Sequence, residues 1–98
     1  MLNWIDDSSQ REQVHKAYFG NYEITIIKFS AGGGWAWIKQ LGISPVILKK
    51  SYPKATTIEE IKDNFMKELY VYLDERVNYW KTIQYSLWEA ELEDDVDD

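Results

Sequence analysis

The sequence predicts a single α+β domain. We expect a short N-terminal helix, a three-stranded antiparallel meander and then two C-terminal helices, or one long bent helix in their place. Three observations support this fold class. Runs of β-branched and aromatic residues between glycine-rich turns fill the first half of the chain. An apolar stripe with helical spacing fills the second half, and 98 residues leave room for only one core.

The first segment predicts a short helix. Residues 5–16 are mostly polar, and their aspartates are suited to capping a helix. Ser9 followed by Glu12 has the spacing of a capping box. We therefore expect a helix here, followed by a turn over residues 16–21 that uses its Gly-Asn pair.

Three strands are expected at residues 22–29, 35–40 and 46–51, because these runs are rich in Val, Ile, Thr and aromatic residues. The glycines at 32–34 precede a strand and lack the Lys-Ser/Thr pair of a phosphate-binding loop. We interpret them as a hairpin turn, and residues 42–45 as a second turn. Short links between strands predict an antiparallel meander.

The second half predicts helices. Thr57 and Glu60 have capping-box spacing, and apolar residues then recur every three or four positions as far as Leu87. A helix of about 35 residues is uncommon, so we expect a break between residues 74 and 78. Trp80 is interpreted as a core residue. The other expected core residues are Ile24, Ile26, Ile38, Ile58, Ile61, Phe65, Leu69 and Leu73.

Composition argues against several classes of protein. Without cysteine the chain has no disulfides, thiolate metal sites or cysteine nucleophile. His15 is the one histidine, and the serines near it lack a nucleophile-elbow pattern. The acidic C-terminus lacks EF-hand spacing. We therefore expect no enzyme, no cofactor and no metal site.

The N-terminus shows no signal-peptide pattern, and no apolar run is long enough to span a membrane. These features predict a cytoplasmic protein without a membrane partner.

Charge divides the chain into two unlike halves. Residues 1–54 carry seven basic and four acidic side chains, a net charge of +3. Residues 55–98 carry four basic and thirteen acidic side chains, a net charge of −9. The last six residues, 93–98, are expected to form a flexible acidic tail. A split of this kind affects the choice of partner more than the fold.

One interpretation is that the acidic half only keeps the protein in solution. The sharper hypothesis is that it imitates nucleic acid, since carboxylates four residues apart on a helix lie about 6 Å apart, similar to phosphates along a strand. A protein groove lined with Lys and Arg would attract such a row. The predicted partner-binding residues are Glu60, Asp63, Asp74, Glu75, Tyr79, Tyr85, Glu89 and Glu93.

The order of these elements, a short helix, a meander and then acidic helices, resembles that of small anti-CRISPR proteins from phages and mobile elements. The resemblance covers most of the chain as a plan and rests on element order. It implies a host-cytoplasmic inhibitor that occupies the DNA-binding channel of an RNA-guided nuclease, without itself binding nucleic acid. In that case the acidic residues above form the partner surface.

Two alternatives belong to other classes. A basic, aromatic sheet can bind single-stranded nucleic acid through phosphate contacts and stacking. This hypothesis predicts a salt-sensitive gel shift. A structural or assembly subunit would instead associate with itself through an aromatic surface. The residues of the nucleic-acid hypothesis are Lys28, Trp35, Trp37, Lys39, Lys49 and Lys50.

Overall fold

The computed structural model describes residues 2–43 and 45–96, and the side chains of residues 2–43 and 45–92. Five consecutive strands form one antiparallel sheet in chain order, and a single helix follows. The elements are β1 Ile5–Asp6, β2 Glu12–Phe19, β3 Tyr22–Phe29, β4 Gly34–Gln40, β5 Leu48–Tyr52 and α1 Ile58–Val96. By its internal contacts the chain divides into two units, residues 1–67 and residues 68–98. The predicted arrangement is wrong in three respects: the sheet has five strands, the N-terminal helix is absent from the described residues, and one helix replaces two.

The N-terminal segment forms a strand hairpin where a helix was expected. The Ser8 amide donates to the Asp6 carboxylate at 2.9 Å, and the Val14 amide donates to the Ser8 hydroxyl at 3.0 Å. Asp and Ser side chains that cap helices also bond to nearby amides in tight turns. The same residues therefore fit both structures. Residues 16–19 continue β2, and the turn contracts to residues 20–21.

One face of the sheet, the core face, packs against the first turns of α1. Gly34 lies at a close approach of the sheet to the helix, because a β-carbon added there would lie 2.6 Å from Cδ1 of Ile61. Burial of this face supplies the hydrophobic stabilisation of the first unit. Its buried apolar residues are Ala17, Ile24, Ile26, Ala36 and Ile38.

The predicted core is confirmed at seven positions and wrong at two. Leu73 is 43% exposed and Trp80 is 65% exposed. The apolar stripe of α1 therefore extends beyond the part of the helix that is buried within this chain. The confirmed core residues are Ile24, Ile26, Ile38, Ile58, Ile61, Phe65 and Leu69.

A capping arrangement starts α1 at the predicted place. The Glu60 amide donates to the Thr57 hydroxyl at 3.1 Å. The Glu60 carboxylate accepts hydrogen bonds from the Thr56 amide at 3.0 Å and the Thr56 hydroxyl at 3.1 Å. Its partner is thus one residue earlier than in a standard capping box. The Thr56 amide, followed by the Thr56 hydroxyl, holds the pKa of Glu60 below its ordinary value of 4.5.

Replacing Glu60 by glutamine is expected to remove a pH-dependent part of the stability. Because the folded-state pKa is lower than the unfolded one, the carboxylate stabilises the fold above the ordinary pKa, and this contribution is lost as the pH falls through the folded-state value. Urea midpoints measured between about pH 3 and pH 6 should fall more steeply for the wild type than for Glu60→Gln. Asp63→Asn, with the same charge change one turn later, is the control and should keep the wild-type slope. Equal slopes for the wild type and Glu60→Gln would contradict the cap.

No break divides α1, and the expected interruption at residues 74–78 lies inside the helix. This segment contains neither glycine nor proline. The Thr82 hydroxyl donates to the Asn78 carbonyl and the Ser86 hydroxyl to the Thr82 carbonyl, each at 3.0 Å. Thr and Ser hydroxyls can compete with the backbone hydrogen bonds of a helix, but here they bond to carbonyls of the helix itself.

Candidate functional site

Residues 70–92 of α1, which we call the distal segment, expose large apolar side chains along their whole length. Soluble monomers rarely expose a contiguous apolar patch of more than a few hundred Å². This concentration of apolar surface makes the segment a candidate interaction site. The exposed residues are Tyr70, Val71, Leu73, Val77, Tyr79, Trp80, Ile83, Tyr85, Leu87, Trp88 and Leu92.

Six residues of the distal segment form a line that we call the seam. They follow one another at alternating steps of three and four residues, which keeps them on one face of an α-helix. This alternation is typical of helices that pair along their length. The seam consists of Leu73, Arg76, Trp80, Ile83, Leu87 and Ala90.

Four aromatic rings of the distal segment are arranged in two contacting pairs. The ring centres of Tyr79 and Trp80 lie 5.5 Å apart in an edge-to-face arrangement. Tyr85 and Trp88 form a similar pair at 6.4 Å. Rings held in this way lose little conformational entropy on binding, which suits them as interface anchors.

Four of the carboxylates predicted to imitate nucleic acid lie, by helical spacing, on the half of α1 opposite the seam: Asp63, Asp74, Glu75 and Glu89. At about 1.5 Å per residue, Asp63 and Asp74 are about 16 Å apart along the helix, and Glu75 and Glu89 about 21 Å apart. Lys67 and Glu68 lie within the first interval, and Arg76 and Lys81 lie within the second. The predicted carboxylates are therefore interrupted by basic side chains, whereas phosphates follow one another at about 7 Å or less.

The remaining members of the predicted acidic surface have different surroundings. The Glu60 carboxylate belongs to the helix cap. Tyr79 lies beside the seam, and Tyr85 lies among the carboxylates on the opposite half. The Glu93 side chain is outside the described residues. The predicted acidic tail begins within α1, which continues to Val96, and its last two residues lie outside the described range.

The sheet face away from α1, the open face, gathers part of the predicted nucleic-acid surface. The Lys49 ammonium lies 4.6 Å from the ring centre of Trp35 and 5.7 Å from that of Trp37, which is cation–π geometry. By their register, Lys28 and Lys50 belong to the core face instead. The predicted residues that share the open face are Trp35, Trp37, Lys39 and Lys49.

A carboxylate that was not among the predicted site residues lies on the open face, near the start of the central strand β3. Glu23 is 8% exposed, accepts a hydrogen bond from the Thr25 hydroxyl at 3.2 Å, and lies 3.9 Å from the Lys39 ammonium. The Tyr18 hydroxyl also bonds to Glu23, which raises the pKa of Tyr18. Counting alternate residues from the buried isoleucines of β3 would have placed Glu23 on this face. Because Glu23 compensates the Lys39 charge, the open face offers a polyanion less attraction than its lysines suggest.

The surroundings of His15 lie apart from these surfaces. Its Nε2 is 4.0 Å from the Asp6 carboxylate, while its buried Nδ1 has no hydrogen-bond partner within the described part of the chain. Among residues 2–43 and 45–92, no group of three acidic or histidine side chains is placed to hold a metal ion. The described helix has no stretch long and apolar enough to cross a bilayer.

No protein-family model matches this chain, and no curated protein or solved structure matches it.

Proposed function

We propose that this chain is a non-enzymatic protein-binding module that docks a partner protein through the seam of its distal segment. The observation that carries the proposal is the exposure of eleven large apolar side chains on one helical segment. Covering each large apolar side chain contributes about 1.5–3 kcal/mol. Exposure of this surface to water is therefore unfavourable, and contact with a partner protein would stabilise it.

The seam specifies how a partner would bind. Anchors at alternating steps of three and four residues suit a helix that lies along an apolar groove or along another helix. The partner should therefore present an elongated apolar surface.

The carboxylates opposite the seam have a supporting role in this proposal. They keep the free chain soluble and affect the rate of encounter with a basic partner more than the final affinity. The hypothesis that they imitate nucleic acid remains a prediction, as does the resemblance to anti-CRISPR inhibitors. Their interrupted spacing favours the seam as the primary contact.

Capture from a lysate of the source cells by the immobilised full chain tests the proposal. We expect the seam variant Trp80→Glu/Leu87→Glu to lose captured protein by at least about tenfold, because each change places a charge in an apolar contact. The acidic-face variant Asp74→Lys/Glu75→Lys/Glu89→Lys should retain it. Captured protein is quantified by mass spectrometry at low and high salt, and circular dichroism verifies that each variant keeps its helix.

The other outcomes identify the alternatives. Loss of capture only by the acidic-face variant, most pronounced at low salt, would reject docking through the seam and support the nucleic-acid mimic. Equal capture by all three chains would reject both hypotheses.

A further inference from the structure

We infer that the protein that covers the seam is a second copy of this chain, whose own seam pairs with it in antiparallel orientation. This inference rests on the proposed function and names its partner.

The seam has the same steps in both directions. From Leu73 to Ala90 its residues are separated by three, four, three, four and three positions, so an inverted copy matches it step for step. In this register Trp80 lies opposite Ile83 of the second copy, Arg76 lies opposite Leu87, and Leu73 lies opposite Ala90. Large residues thus meet smaller ones, which is how facing helix layers fill space.

Charge selects the antiparallel orientation. Residues 89–98 contain seven acidic and no basic side chains. Parallel pairing would bring two such ends together, and like charges at close range oppose association. Antiparallel pairing separates these ends, so that the two most acidic parts of the helices do not meet.

The exposed area suffices for a stable dimer. Trp80 is 65% exposed, which for an aromatic side chain is on the order of 150 Å². Together, the seam and its flanking residues Val77 and Tyr79 offer on the order of 600–800 Å² per copy, close to the roughly 800 Å² that a standard interface buries on each partner.

Sedimentation equilibrium of the full chain is the first test. We expect a dimer at about 100 µM, and Trp80→Glu should weaken the association at least about 30-fold, as for a central aromatic residue of an interface. Tyr85→Glu is the matched control: Tyr85 is also 65% exposed, the added charge is the same, and the side chain lies outside the seam. It should change the dissociation constant by less than about threefold.

Cysteine trapping tests the orientation, and the chain has no cysteine of its own to interfere. Mixed Leu73→Cys and Ala90→Cys chains should form a disulfide between the two variants, since antiparallel pairing brings these positions together. Leu73→Cys alone should not crosslink, because its equivalents would lie about 26 Å apart along the helices and a disulfide needs α-carbons within about 7 Å.

Three results would overturn the inference: a chain that is monomeric at all concentrations, equal weakening by Trp80→Glu and Tyr85→Glu, or efficient crosslinking of Leu73→Cys to itself. If the chain is monomeric while the seam variant still loses protein captured from the lysate, a foreign protein occupies the seam and the proposed function stands. If capture is also unaffected, both fail.

Discussion

Replacing Phe65 by alanine is expected to lower the free energy of unfolding by about 3–5 kcal/mol. Phe65 has 0% exposed surface and lies on the part of α1 that belongs to the first unit. Removing the ring forfeits its burial and leaves a cavity in a closely packed core. Urea unfolding followed by circular dichroism measures the loss.

The matched substitution in the distal segment is Trp80→Ala. Since Trp80 is 65% exposed, its loss should change the stability of the monomer by less than about 0.5 kcal/mol, measured by the same method at a dilution that prevents association. Similar losses for Phe65→Ala and Trp80→Ala would mean that Trp80 packs within its own chain. Such a result would contradict the assignment of the seam as a surface for partners.

Gly34→Ala is expected to lower the free energy of unfolding by about 3 kcal/mol or more. The added β-carbon would overlap the carbonyl oxygen of Ile27 and lie 2.6 Å from Cδ1 of Ile61. The carbonyl belongs to the neighbouring strand β3, so relief requires displacement of the strand and of α1 together. Urea midpoints of the variant and wild type measure this cost.

Gly42→Asn is the control for the glycine substitution. Gly42 has a φ of +76°, and a β-carbon there would meet no atom within 4 Å. Asparagine tolerates this left-handed backbone better than most residues, so the variant should lose less than about 1 kcal/mol. A Gly34→Ala variant as stable as Gly42→Asn would contradict the packing of α1 against the core face.

The strands illustrate what local sequence determines. The prediction for residues 22–29 coincides with β3, because β-branched residues there are bounded by turn residues on both sides. The prediction of a helix in the N-terminal segment was wrong, because Asp and Ser side chains form hydrogen bonds equally well in helix caps and in tight turns. Pairing of β2 with β3 decides between them, and that pairing joins residues up to 17 positions apart, from Phe19 with Tyr22 to Glu12 with Phe29.

The apolar stripe of the helix was predicted correctly, but the prediction that its later residues pack in the core of the same chain was wrong. Apolar spacing shows that a face will be covered without showing by what, and for this reason Leu73 and Trp80 were assigned to the core. A length comparison contained the missing signal. An eight-residue strand spans about 26 Å, enough to cover about 17 helical residues. The stripe from Ile58 to Leu87 is about 45 Å long, so a strand of this length is too short to cover all of it.

The candidate site was predictable to a similar degree. Helical counting alone places Lys67 and Lys81 between the groups of carboxylates, so the gaps in the acidic row were present in the sequence. The division of the lysines between the two faces of the sheet could not be predicted from the sequence. Lys28 and Lys50 are assigned to the core face only once the strand register is known.

Amide hydrogen exchange across α1 tests most directly the claim that protein covers the seam in solution. We expect amides of residues 73–90 to exchange at least about tenfold more slowly at about 200 µM chain than at about 2 µM, while amides of β3 and β4 exchange equally at both concentrations. Equal exchange of residues 73–90 at both concentrations, unchanged when protein captured from the source cells is added, would contradict it.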